Sequence, residues 1–95
     1  MEPTTYGVYV IQLDRDPNAV YVGSTAKPFH ERLAQHNEAG RLAARIFRRG
    51  VRGVRLREDL HRHLDRFDER QQARRAERRL ANQLKARGFD VTVGI

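Results

Sequence analysis

Between Thr5 and Leu13 apolar residues fill both alternating sets of positions, Tyr9, Ile11 and Leu13 on one and Tyr6, Val8 and Val10 on the other. The same density returns from Val20 to Thr25, after the turn-forming run Asp14-Arg15-Asp16-Pro17-Asn18. This predicts a β-hairpin whose strands are covered on both faces, as in a layered α/β sandwich. Pro28 and Gly40 bracket a helix over about 28–38, with Phe29 and Leu33 as its buried stripe. A second helix is expected over about 41–49, burying Leu42, Ile46 and Phe47 before Gly50. Val54 and Leu56 suggest a brief third strand. No glycine or proline interrupts the chain between Gly53 and Gly88, and two helices are expected there. The later one carries a narrow stripe of Ala73, Ala76, Leu80 and Leu84. Phe89, Val91 and Val93 alternate with polar residues and predict a closing strand.

Composition changes this picture in one respect. Ninety-five residues with 39% hydrophobic and 33% charged residues fit one domain, 1–95, with a thin core. The absence of cysteine excludes disulfides, thiolate zinc sites and cysteine nucleophiles. No apolar run is long enough for a membrane span, and the start at Met1-Glu2-Pro3 lacks the order of a secretory signal, so a cytoplasmic protein is expected. The net charge of +7, with only Lys27 and Lys85 as lysines among 19 basic residues, favours a polyanion such as nucleic acid. A generally arginine-rich composition is the plainer explanation of the same excess.

Some side chains then invite a chemical reading. Arg32 and His36, four apart, project from one side of their helix at the rim of the core, where a guanidinium can fork onto a phosphate and an imidazole can pass a proton. An ordinary surface pair has the same spacing. Glu77 has Ala73 and Ala81 at its helical neighbours and Arg74 as its near charged partner, which points its carboxylate to the sheet edge. It would suit one hard divalent ion there, or be neutralised by an arginine from another element. Tyr9 and Tyr21 share the parity of Gly7 and Gly23, whose missing side chains would leave room for a phosphate; packing alone also explains two strand tyrosines. His61 and His63 face different directions, against a zinc site. The arginine pairs 48/49, 74/75 and 78/79 fit either a nucleic-acid track or solvated helix faces.

Taken in order, Gly7-Val8-Tyr9, Tyr21-Val22-Gly23, Arg32, His36 and Glu77 resemble the motifs and site residues of the GIY-YIG endonuclease superfamily, compact bacterial members in particular. The resemblance implies a small central antiparallel sheet of three strands flanked by helices. It implies a metal-dependent DNA endonuclease using one Mg²⁺ or Mn²⁺ ion, with Glu77 as metal ligand, Arg32 stabilising developing charge, Tyr9 or Tyr21 activating water, and His36 assisting. Lys27, Arg45, Arg48 and Arg49 are the expected nucleic-acid contacts. Ser24 stands where many members carry a basic residue, with Lys27 nearby, and an asparagine common near the end has no clear match. Branched or single-stranded DNA and a targeting partner protein are compatible with so small a domain. A noncatalytic nucleic-acid-binding domain and a protein-interaction module are the competing readings.

Overall fold

A computed structural model describes residues 3–94; the start read at Met1 and Glu2 lies outside them. Strand β1 spans Gly7–Leu13 and β2 spans Ala19–Thr25, joined by the expected turn. Then follow helix α1 (Phe29–Asn37), α2 (Arg45–Arg48), β3 (Gly53–Leu56), α3 (Glu58–His61), α4 (Arg70–Ala86) and β4 (Asp90–Val93).

The sheet has four strands in the order β3-β1-β2-β4, and it is mixed. This corrects the expected three-stranded antiparallel sheet. β1 is antiparallel to β2 and β3, whereas β4 runs parallel to β2, pairing Ala19 with Asp90 and Val22 with Val93. A parallel neighbour needs a crossover rather than a hairpin, and the long excursion ending in α4 supplies it. The strand alternation of residues 89–93 could reveal a strand, but its direction depends on how α4 returns across the sheet.

Apolar residues of both parities bury two cores, one on each face. Val8, Val10, Val20 and Val22 pack against Leu60, Leu80 and Leu84, the last two from α4. On the other face Tyr9, Ile11, Leu13 and Tyr21 pack with Phe47 of α2, and Phe29 and Leu33 of α1 lie against them. The α4 stripe faces the sheet, and the Gln72 side chain accepts from the Glu69 backbone N–H at 3.3 Å to close the helix start. Gly88, at φ +98°, ends the helix in a conformation that favours glycine.

Three local features depart from or add to the expected pattern. α2 is a single turn rather than a helix over 41–49, and Leu42, expected in the core, is 66% exposed. The extended backbone of Ala44 stops the helix from reaching back, and its N–H is taken by the His36 side chain instead. Val54 is also exposed, because β3 is an edge strand. Third, His61 is buried: its Nδ1 accepts the Val10 backbone N–H at 3.0 Å, just where β3 no longer lines β1. An imidazole thus substitutes for the missing strand carbonyl.

Candidate active site

On the hairpin, Tyr9 stands directly opposite Gly23, and Tyr21 lies one step along the same face. A Cβ built on Gly23 would sit 2.7 Å from the Tyr9 hydroxyl and 2.9 Å from the Tyr21 ring. The glycine therefore makes room for two phenols, whose ring centroids are 6.1 Å apart. The space expected to admit a phosphate is filled by the protein's own rings; at Gly7 it is filled by Phe29 and Arg66.

His36 is fully buried rather than at the rim, because Phe47 stacks on it with centroids 4.3 Å apart and Tyr21 meets it edge-on at 5.2 Å. Burial, reinforced by the nearby Arg32 charge, lowers its pKa from 6.5 to about 4. Its ring is therefore neutral at neutral pH, with one donor and one acceptor nitrogen. Nδ1 accepts the Ala44 N–H at 3.1 Å, which leaves the proton on Nε2. That N–H donates to the Tyr9 hydroxyl oxygen at 2.9 Å. The Tyr9 hydroxyl keeps its own proton, and its nearness eases the Tyr21 phenol towards its anion. The hydrogen-bond chain has one direction, from the Ala44 backbone through His36 to Tyr9, which stands beside Tyr21.

The two tyrosines differ in consequence. Burial drives the Tyr9 pKa far up, the neighbouring Tyr21 adding to it and Arg32 only partly opposing it. Tyr21 is raised too, chiefly by burial, with Arg32 lowering it and Glu77 raising it. Tyr21 also lines an open cleft of about 750 Å³, whereas Tyr9 does not.

Arg32, half-buried on α1, reaches this cleft and donates to the Leu42 carbonyl at 2.9 Å and to the Gln35 side chain. Glu77 comes from α4, on the opposite face of the sheet, yet lines the same cleft. It is only 7% exposed. Burial raises its pKa, while a hydrogen bond from Ser24 and the charges of Arg74 and Arg78 pull it back. Gly94 makes room for Tyr21 at this end of the sheet: a Cβ there would fall 2.5 Å from the Tyr21 hydroxyl and 3.3 Å from the Gly23 Cα.

The cleft therefore gathers a phenol, a guanidinium and a carboxylate from three elements. A family model described as the GIY-YIG catalytic domain matches residues 5–90. The chain belongs to the GIY-YIG family. Comparisons with curated proteins and with solved structures find no match.

In this GIY-YIG domain, Tyr21, Arg32, Glu77 and Lys27 line the cleft, and Tyr9 and His36 stand behind Tyr21. Arg45, Arg48 and Arg49 lie on or just after α2 and do not line it. Cleft residues that sequence reasoning did not single out include Ser24 as a partner of Glu77, Gly94 beside Tyr21, and Arg70. Arg70 was legible in principle, since it precedes Arg74 and Arg78 at a spacing of four on one helix face. Ser24 and Gly94 depend on contacts between distant parts of the chain and leave no local signal.

The donor set also bears on metal chemistry. Among the described residues no three His, Asp or Glu side chains cluster as a ligand cage. Among the described residues Glu77 is the one carboxylate lining the cleft. A single carboxylate combined with substrate phosphate oxygens and water is the usual arrangement for Mg²⁺, and it is too sparse for a structural zinc site.

Proposed function

We propose that this GIY-YIG domain is a metal-dependent endonuclease that hydrolyses phosphodiester bonds in DNA. The observation behind this reading is the meeting of Tyr21, Arg32 and Glu77 in one cation-lined cleft, although they come from opposite faces of the sheet.

In this mechanism Glu77 would hold a Mg²⁺ or Mn²⁺ ion, which when bound would supply positive charge to the phosphate being cleaved. Arg32 grips the same phosphate by hydrogen bonds and offsets charge that develops on it. Its donors to Leu42 and Gln35 hold the guanidinium in place before substrate arrives. Tyr21 orients the attacking water and, in its minor phenolate form, once its own proton has passed to solvent in the cleft, accepts a proton from it. Tyr9, by its nearness, favours the anionic form of Tyr21; Arg32 acts in the same sense. His36 holds Tyr9 beside Tyr21. Its Nδ1 lone pair is engaged by Ala44, so His36 is a positioning residue rather than a proton acceptor in this state. Access divides the tyrosines: the cleft reaches Tyr21, and Tyr9 supports it from behind.

Purified wild type and Glu77→Ala protein would be incubated with labelled single-stranded, duplex, nicked, flapped and branched DNA, in magnesium, manganese or chelator. Wild type should cut only with metal, and the variant should be slower by more than about 10³-fold while still binding DNA. Salt-sensitive binding by both proteins, without cleavage by either, would move the assignment to a noncatalytic nucleic-acid-binding domain.

A further inference from the structure

Arg70, Arg74 and Arg78 follow one another at intervals of four on α4, so their side chains share one face and are spaced about 6 Å apart along the axis. All three are exposed and line the cleft, and Glu77 lies within the row, on the turn between Arg74 and Arg78. Arg75 and Arg79, one position on from Arg74 and Arg78, turn away and do not line it. The only ion pair among the described residues is Arg57 with Asp59, so no described carboxylate comes within salt-bridge distance of the row. Arg70 is instead held over the Tyr6 ring, 5.4 Å from its centroid, at the edge of the same cleft. Neutralising Glu77 would occupy one arginine, not a row extending two turns from it.

We propose that Arg70, Arg74 and Arg78 form a phosphate-binding rail that holds the backbone of the strand being cut along α4, on both sides of the scissile phosphate. Arg32 and Lys27 close the cleft from the opposite wall. The arrangement follows one strand by its phosphates, without base contacts, and so grips single-stranded and duplex DNA through the same residues. The proposal takes its ligand from the nuclease reading above.

The test is equilibrium binding in chelator, which reads the rail without cleavage. A labelled mixed-sequence DNA strand, alone and annealed to its complement, would be titrated with wild type and with two charge-matched triple variants. One is Arg70→Gln/Arg74→Gln/Arg78→Gln; the other is Arg45→Gln/Arg48→Gln/Arg49→Gln, which removes the same charge away from the cleft. The rail variant should flatten the dependence of log Kd on log salt by about 2 units for the single strand, and the other variant by less than half of that. Single Arg74→Gln should account for about a third of the rail effect, and thermal melts would establish that each protein is folded. Equal flattening by both triples, or a larger effect of the Arg45 set, would overturn the rail in favour of diffuse attraction. An active nuclease with an intact salt slope in the rail variant also sinks the rail and spares the nuclease. Rail-dependent binding in a protein that cuts nothing does the reverse.

Discussion

The two faces of the sheet are buried to a similar depth, yet they are made of different materials. Valines of β1 and β2 meet leucines and alanines of α3 and α4 on one side, in an aliphatic layer held by packing. On the other side two phenols, an imidazole and two phenylalanines form an aromatic layer with a directed hydrogen-bond chain through it. Burying polar atoms is costly unless each is satisfied, and among the described residues no buried side-chain polar atom is left without a partner. The aromatic layer thus fixes the orientation of buried polar groups, and the aliphatic layer anchors the helix that brings Glu77 and the arginine row to the cleft.

The most severe way to break this division is to cut into each layer. Leu84→Ala, from a residue 1% exposed, should lower unfolding free energy by about 2–5 kcal/mol in urea titrations. Phe47→Ala should cost about 3–5 kcal/mol and also release the stack on His36. At a temperature where both variants remain folded, Phe47→Ala should lose more activity than Leu84→Ala. Equal specific activities would mean that the aromatic layer is only packing.

Within the aromatic layer, removing one hydroxyl at a time separates the two phenols. Tyr21→Phe should slow single-turnover cleavage by about 10²- to 10³-fold, as expected for a lost proton acceptor. Tyr9→Phe should slow it by about tenfold, roughly the worth of one supporting hydrogen bond. The reverse order would transfer the role of base to Tyr9.

A subtler contrast lies in pH. His36 and His61 both have lowered pKa values, mainly because burial disfavours the charged ring. The unfolded chain therefore binds more protons at these sites than the native state, and stability rises with pH. The contribution of His36 is fully present above its ordinary value of 6.5 and is lost as pH falls towards about 4, where the native ring itself protonates. Urea midpoints should decline across that interval, and His36→Gln should flatten part of the decline. His61→Gln should flatten another part without touching the His36 to Tyr9 hydrogen bond. An unchanged profile in both variants would show that the acid sensitivity arises elsewhere.

Much of this was legible in the chain. Apolar residues of both parities in the hairpin meant a sheet covered twice, because alternate side chains point to opposite faces. The stripe of Ala73, Leu80 and Leu84 placed α4 on one of those faces, and the ordered motifs pointed to the family match. Local patterning could not supply the rest. The parallel direction of β4 depends on the path of a crossover, and the exposure of Leu42 goes with the extended backbone at Ala44, whose N–H meets the distant His36 side chain. Periodicity reports which residues are buried, since burial follows the repeat of helix or strand. It does not report which buried groups meet. That Tyr21 and Glu77 share a cleft across the end of a sheet, with the Tyr21 ring fitted against Gly23 and Gly94, is a property of tertiary packing between segments far apart in the chain.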